Sequence, residues 1–312
     1  MFVNFMNWII IAIFAYLLIA VQTMLDKFLI SSKKVSHASV YAFYSGILSF
    51  FTLFIFAPFD FHLITIFEFF LAMASGMIFA YGILNLFFAI NKSQASQAIP
   101  VVGAVTPVAT YVFSVLFFGE NISQTQFAGV SLLIFGGLFI SFDLPLKLNK
   151  KKFFDGFYHS AICGILLGVS FSAFKYLYDH DTFANMFIWS RLGLFAGALS
   201  FLLHAGWRKK IVSSFRNFKG DKKQNSRTSA LFIFNKILGG TGSALANYAI
   251  SLGSVTLVNA LASIQYIFLF LMGAALSLKF PEIFAESGKF WDIAQKVAAV
   301  GIITAGIILI TK

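Results

Sequence analysis

Long apolar segments separated by short polar connections dominate the chain. Ten of them are close to the roughly 20 residues that a helix needs to cross the hydrocarbon core of a bilayer. They are too long for strands and lack the alternation of a membrane barrel, and the fifth opens with a capping-box pair, Ser123 and Gln126. The sequence therefore predicts an all-α integral membrane protein with ten transmembrane helices. Their approximate bounds are 7–29, 38–57, 64–90, 96–118, 125–142, 156–177, 183–204, 230–251, 255–278 and 291–311.

Two of the connections are longer and more polar than the others. Residues 143–155 lie at the middle of the chain, and residues 205–229 contain eight basic side chains. The first of these connections separates five predicted helices from five others. We therefore expect two domains, a first five-helix repeat over residues 1–143 and a second over residues 156–312.

Short matches in the same order relate the two halves. Lys27-Phe28-Leu29 matches Lys175-Tyr176-Leu177, and Phe88-Ala89-Ile90 matches Tyr248-Ala249-Ile250. Because each half has an odd number of spans, the second half must enter the membrane from the opposite side. The pattern thus predicts an inverted repeat, which is typical of secondary transporters with a binding site near the midplane.

One stretch carries a family signature. Pro107 lies in the fourth segment, a turn of Gly119 and Glu120 follows it, and the fifth segment contains the glycine-rich helix Gly129–Gly137. This stretch resembles the EamA type of the drug/metabolite transporter superfamily, and Arg191 is similar to an arginine that the family often places in the second helix of a repeat. The resemblance implies a cavity lined by helices 1, 3, 4, 6, 8 and 9, with helices 5 and 10 as a supporting layer. It leaves the substrate open, since family members carry amino acids, drugs, sugar phosphates and other metabolites.

Composition excludes a soluble protein. The chain has 312 residues, of which 59% are hydrophobic and 11% charged, and its mean hydropathy is +0.85. A soluble domain carries about 25% charged residues. The net charge of +11 is distributed in short runs between apolar segments, so no nucleic-acid partner is expected. A single cysteine and the lack of any catalytic or phosphate-binding motif predict no enzyme, no cofactor and no metal.

Polar side chains inside hydrocarbon are costly, so their positions are candidates for function. Lys236, Gly240, Ser243, Asn247 and Ser251 share one face of the eighth segment. All twelve acidic residues fall in loops or near segment ends, which leaves the deeply embedded charges basic. Helix packing is the alternative role for small, hydroxyl and amide side chains. The residues predicted to line a substrate pathway are Tyr16, Thr23, Lys27, Asn85, Thr106, Thr110, Lys175, Arg191, Lys236, Asn247, Asn259, Gln265 and Tyr266.

These observations favour a secondary, ATP-independent transporter that exports or exchanges a small polar metabolite such as an amino acid by alternating access. The embedded basic residues favour an anionic or zwitterionic substrate. Without a carboxylate near a span centre, exchange or facilitated export is expected rather than proton antiport. Two alternatives stay open. One is a flippase or carrier for a phosphorylated sugar, a nucleotide sugar or a polyprenyl-phosphate lipid, and the other is an intramembrane scaffold without transport.

Charge asymmetry predicts the orientation. The connections after odd-numbered spans hold 18 of the 23 Lys and Arg residues, whereas the termini and the other connections hold 2. Cytoplasmic loops carry the excess of basic residues. We therefore expect both termini outside the cell (inner) membrane and residues 205–229 in the cytoplasm. A monomer is the expected oligomeric state. The resemblance implies the opposite, since the usual family arrangement has both termini in the cytoplasm.

Overall fold

The protein is described by a computed structural model over residues 2–31, 37–92, 95–141, 150–216, 222–277 and 290–311. The regular secondary structure in these ranges is entirely helical, and nine helical segments are long and apolar enough to cross a membrane. The α-helices in chain order are α1 (Phe2–Ser31), α2 (Ala38–Leu48), α3 (Phe51–Phe56), α4 (Ile66–Lys92), α5 (Ala95–Phe118), α6 (Gln124–Ser141), α7 (Lys150–His180), α8 (Phe183–Ser200), α9 (Ala205–Arg216), α10 (Lys222–Leu252), α11 (Val255–Ala260), α12 (Ile264–Ser277) and α13 (Phe290–Ile310).

Two predicted spans are interrupted helices. The second consists of α2 and α3, and the ninth consists of α11, a 3₁₀ turn at Leu261–Ser263, and α12. At the first break, Ser49 Oγ donates to the carbonyls of Gly46 at 2.6 Å and Arg191 at 3.0 Å. A hydroxyl that bonds to the backbone competes with regular helical bonding, so Ser49 marks this break and ties it to α8.

The predicted eighth span corresponds to α10, which is 31 residues long but is not among the nine apolar candidates. Polar residues such as Asn235, Lys236 and Asn247 lower its mean hydropathy. Asn235 and Asn247 are buried, so α10 places polar groups inside the protein rather than against lipid. A helix of this kind is expected to line an internal site.

The polar connection predicted over residues 205–229 contains helical structure. Residues Ala205–Arg216 form the amphipathic helix α9, and α10 begins at Lys222. Trp207, Ile211 and Ser214 recur at helical spacing, and the apolar contacts of Trp207 and Ile211 together with the hydrogen bond of Ser214 to Tyr44 stabilise α9. The connection therefore contains an additional helix outside the spans.

Helices from the first half of the chain pack against helices from the second half. In the predicted repeat α1 corresponds to α7 and α4 to α10, and the structure pairs α1 with α10 and α4 with α7. Close approach of α4 to α8 requires glycine, because a Cβ added at Gly193 would lie 2.7 Å from the Ala72 carbonyl oxygen, and one at Gly76 would lie 2.3 Å from that of Ser190. The bounds of the two repeats stay a prediction.

The fifth and tenth spans, α6 and α13, pack against each other. A Cβ added at Gly129 would lie 2.9 Å from the carbonyl oxygen of Gly306, so the two helices meet at backbone distance. The capping box predicted before α6 is confirmed, since Ser123 N donates to Gln126 Oε1 at 3.0 Å and Gln126 N donates to Ser123 Oγ at 3.2 Å. This pair fits the supporting layer that the family resemblance implies.

Candidate functional site

A polar stripe along α10 forms the core of the candidate site. It consists of Lys236, Gly240, Ser243, Asn247 and Ser251, and we name it the α10 stripe. At 1.5 Å per residue it extends about 22 Å, most of the thickness of a bilayer core. A Cβ added at Gly240 would meet nothing within 4 Å, so there is open space beside the stripe. The other four members contact groups from neighbouring helices.

Arg191 of α8 lies beside the middle of the stripe. Its side chain is buried, with the residue 6% exposed, and its Nη2 donates to Ser243 Oγ at 3.2 Å. The guanidinium carbon lies 4.4 Å from the ring centre of Phe187 and 5.4 Å from that of Phe79. The partners of this cation are therefore a hydroxyl and two aromatic faces, all of them neutral.

An amide and a phenol form the next turn of the stripe. Tyr178 Oη donates to Asn247 Oδ1 at 3.0 Å, and Asn247 Nδ2 donates to the carbonyl of Ser243 at 2.8 Å. Both side chains are buried. They provide neutral donors and acceptors one helical turn from the guanidinium.

Charge pairing distinguishes Arg191 from the other basic candidates. Within the ranges that the structure describes, Lys175 pairs with Asp179 at 2.7 Å, Lys236 lies 4.0 Å from Asp26, and Arg191 takes part in no ion pair. A buried charge without a counter-charge is unfavourable. An anion bound beside Arg191 would supply the missing charge.

A cavity of about 480 Å³ opens at one end of the stripe. We name this end the terminal side, because α1 begins and α13 ends there, and the opposite end the basic side, where α9 lies. Lys175 lines the cavity and donates to the carbonyl of Ser251 at 3.4 Å, so the cavity reaches the end of the stripe. Its floor includes the hydroxyls of Ser114 and Ser172, which bond to each other at 2.9 Å.

A cluster of four side chains closes the stripe on the basic side. Asp26 Oδ1 accepts from Tyr41 Oη at 2.5 Å and from Asn235 Nδ2 at 2.6 Å. Lys236 Nζ donates to Tyr41 Oη and lies 3.9 Å from the centre of its ring. These contacts join α1, α2 and α10. We name this group the basic-side cluster.

The basic-side cluster corrects one sequence-based inference. Lys236 was expected to contribute unbalanced positive charge, but Asp26 at the end of the first span lies beside it. Sequence reasoning missed Asp26, Tyr41 and Asn235 as parts of the site. Gln22, one helical turn before Asp26, adds a further contact, since its Nε2 donates to Asp26 Oδ2 at 3.4 Å.

Other predicted pathway residues join helices away from the stripe. Asn259 Nδ2 donates to Thr110 Oγ1 at 3.2 Å and Gln265 Nε2 to Thr23 Oγ1 at 3.2 Å, while Tyr16 Oη donates to a backbone carbonyl of α11 at 2.9 Å. These bonds link α5 to α11, α1 to α12, and α1 to α11. Their role in a pathway stays a prediction beside this packing role.

Four further candidates are not brought to the stripe by a described contact. Thr106 and Tyr266 donate to backbone carbonyls in or near α5, at 2.8 Å and 3.1 Å, and Asn85 Oδ1 lies 2.9 Å from His159 Nδ1. The Lys27 side chain lies outside the described side chains. The structure therefore places Lys175, Arg191, Lys236 and Asn247 along the α10 stripe, with Lys175 and Lys236 at opposite ends, and the other candidates away from it.

The Gly-Glu turn of the family signature has a structural role. Gly119 adopts a φ of 67°, which favours glycine. Glu120 accepts from Ser254 Oγ, from Thr256 Oγ1 at 2.5 Å and from Thr256 N at 3.3 Å. A carboxylate at a helix N-terminus interacts favourably with the helix dipole, so Glu120 fixes the start of α11 at the terminal side.

A histidine between two aspartates lies on the surface of the terminal side. His62 Nδ1 lies 3.1 Å from Asp60 Oδ1, and His62 Nε2 lies 2.9 Å from Asp181 Oδ2. The hydrogen bond with Asp60 raises the pKa of His62, and a hydrogen bond from Thr182 lowers the pKa of Asp60. Both ring nitrogens are engaged by carboxylates, so the three side chains form an ionic clamp. The same three side chains could offer ligand atoms to a metal ion.

Comparison with solved structures defines the fold. Twenty-seven chains match. One of them, described only as "Crystal structure of protein", has a TM-score of 0.67 and 16% identity over 97% of this chain and 99% of its own. At this identity the likeness shows the fold alone.

The family comparison matches the first part of the chain. Residues 6–142 are similar to the EamA-like transporter family. A search of curated proteins finds no match. The described residues are therefore those of an all-helical integral membrane protein with many spans, and the first part of its chain is similar to a transporter family.

Proposed function

We propose that the protein is a secondary transporter that moves a small anionic or zwitterionic metabolite, such as an amino acid, along the α10 stripe. The buried Arg191, which has only neutral partners among the described residues, carries this proposal. The proposal assigns transport and no chemical conversion of the substrate.

The chemistry of the guanidinium supports an oxyanion as its ligand. Its planar fork of donors matches a carboxylate or a phosphate, and it stays charged even when buried. Ser243, Asn247 and Tyr178 offer neutral hydrogen-bonding groups along the same face. A substrate carboxylate at Arg191 would replace the missing counter-charge, and its polar remainder would bond to these groups.

The two ends of the stripe support alternating access. The terminal side holds the cavity of about 480 Å³, and the basic side is held together by the cluster around Asp26. We infer that this conformation is open toward the terminal side. Transport then requires the basic-side cluster to separate while the terminal side closes.

Exchange or facilitated export is the mode that this arrangement favours. The described contacts of Arg191 and of Asn247, at the middle of the stripe, include no carboxylate. Asp26 at the basic end is bonded to neighbouring side chains. A proton carrier in the transport cycle needs a carboxylate that becomes accessible from each side in turn. Asp26 instead helps to hold the basic side closed through this cluster.

Transport assays in liposomes test the proposal. Purified protein should take up labelled amino acids or sugar phosphates without ATP, and uncharged nucleobases should be poor substrates. Arg191→Gln should reduce transport by roughly a hundredfold, since a hydrogen bond to a charged group contributes about 1.5–3 kcal/mol. Arg191→Lys should retain part of the activity. Arg227→Gln removes the same charge from the first turns of α10 and should transport normally.

Two results would contradict the proposal. One is normal transport of an anionic substrate by Arg191→Gln, and the other is equal transport of neutral and anionic compounds by the unmodified protein. Each variant is checked for a monodisperse elution peak in detergent, so that loss of transport is not confused with loss of folding.

A further inference from the structure

The amphipathic helix α9 is fixed to the basic side of the membrane domain. Ile211 is completely buried. Trp207 contacts Phe88 of α4, with ring centres 6.2 Å apart, and Ser214 Oγ is hydrogen-bonded to Tyr44 Oη of α2 at 3.1 Å. One face of α9 thus packs across the ends of two spans, so the opposite face has a defined position at the membrane surface.

The opposite face is basic and has no acidic partner. Arg208, Lys209 and Lys210 are exposed, and no described carboxylate lies within ion-pair distance of them. A cavity of about 300 Å³ is lined by Arg208, Lys209, Val212 and Ser213. This concave surface has two cations at its edge and is large enough for a phosphate with its glycerol.

Apolar side chains surround the cations. Leu203, at the end of the seventh span, is 85% exposed, and Val212 in the cavity wall is 50% exposed. A soluble anion would gain nothing from this apolar surface, whereas a lipid brings a phosphate and acyl chains together.

We propose that α9 forms a binding site for an anionic phospholipid in the leaflet on the basic side. Arg208 and Lys209 bind the headgroup phosphate, and the acyl chains lie along Leu203 and Val212. An amphipathic helix with a basic polar face binds the interface through this combination of buried apolar area and attraction to anionic lipids.

Lipid titration of the purified protein tests the site. Phosphatidylglycerol should raise the melting temperature and remain bound in native mass spectra, and phosphatidylcholine should do neither. Arg208→Gln and Lys209→Gln should each weaken retention about fivefold, the usual effect of one basic residue at an anionic surface. Lys92→Gln removes an exposed charge at the end of α4 on the same side and should leave retention unchanged.

Further measurements distinguish a lipid headgroup from free inorganic phosphate as the ligand. Inorganic phosphate at millimolar concentration should not stabilise the protein, and added salt should weaken phosphatidylglycerol binding. If the Gln variants fail to fold, the charge-conserving pair Arg208→Lys and Lys209→Arg should keep the lipid. Equal retention of both lipids, equal retention by the Gln variants, or equal stabilisation by inorganic phosphate would each overturn the proposal.

Discussion

The charge pairing of the basic side chains in the spans depends in one case on a residue that lies far away in the sequence. The sequence located Lys175, Arg191 and Lys236 inside or near spans, because a cation in an apolar run is a local signal. The sequence could not show which of these cations lies beside a carboxylate from another helix. The carboxylate beside Lys236 comes from Asp26, 210 positions earlier, so this pairing depends on the tertiary contact of α1 with α10.

Breaking the basic-side cluster should open that side of the protein. Asp26→Asn leaves the Lys236 ammonium without its counter-charge, and a loss of 1 to 2 kcal/mol changes the population ratio of two states about five- to thirtyfold. Because Cys163 is the single cysteine, the variant Cys163→Ser, Gly240→Cys carries one cysteine, at position 240 in the stripe. When Asp26→Asn is added to this variant, the rate of maleimide labelling of Cys at position 240 from the basic side should increase by this factor.

The double variant Asp26→Asn, Lys236→Met provides the matched control. It removes both charges, so no uncompensated ion remains, and labelling should return toward the original rate. Labelling that stays unchanged in the single variant would show that the cluster does not hold this side closed.

Helix bounds were the most predictable feature of the fold. The lengths of apolar runs gave the spans to within a few residues, except that the sixth and eighth helices extend further at their N-termini. The breaks were not predictable. Ser49 interrupts the second span through a bond to the backbone of α8, and α9 forms where a polar connection was expected because Ile211 finds a buried site.

Packing of α4 on α8 should not tolerate a side chain at the crossing. Gly193→Val places a branched side chain where backbone atoms of α4 lie 2.7 Å from an added Cβ, and overpacking of this kind costs about 1–3 kcal/mol. The melting temperature in detergent should fall by several degrees. Gly301→Val in α13, where an added Cβ meets nothing within 4 Å, should melt normally. Equal melting temperatures would refute a close-packed crossing.

The clamp around His62 should respond to pH. Its raised pKa means that the bridge is fully formed below the usual His pKa and is lost as the pH rises through the raised value. The lowered pKa of Asp60 means that the contribution of its carboxylate to the bridge is lost only as the pH falls through that lowered value. Hydrogen exchange of residues 57–65, corrected for intrinsic rates, should therefore be slowest in mildly acidic buffer and faster at alkaline pH.

The variant His62→Gln isolates the contribution of the imidazolium. Its exchange in the same segment should lose the alkaline acceleration, because the imidazole whose deprotonation releases the bridge has been removed. A pH profile identical to that of the unmodified protein would assign the change to another group.

The distribution of basic residues predicts the orientation of the entire protein. Each Lys or Arg near an anionic leaflet contributes about 1 kcal/mol, and 18 of them lie in connections on one side. A reporter that is active only in the cytoplasm should be inactive when fused after Lys312 and active when inserted near Gly220. The reverse pattern would show that the usual family topology prevails over the charges.

The packing of helices from one half against helices from the other half has a consequence for synthesis. The partner of α1 is α10, which begins 191 residues after α1 ends. At translation rates of 5–20 residues per second, α1 waits roughly 10–40 seconds in the membrane before that partner emerges. During this interval Asp26 and Gln22 face lipid or a helper protein. Nascent chains stalled before residue 222 should therefore be preferred substrates for membrane insertases and quality-control proteases.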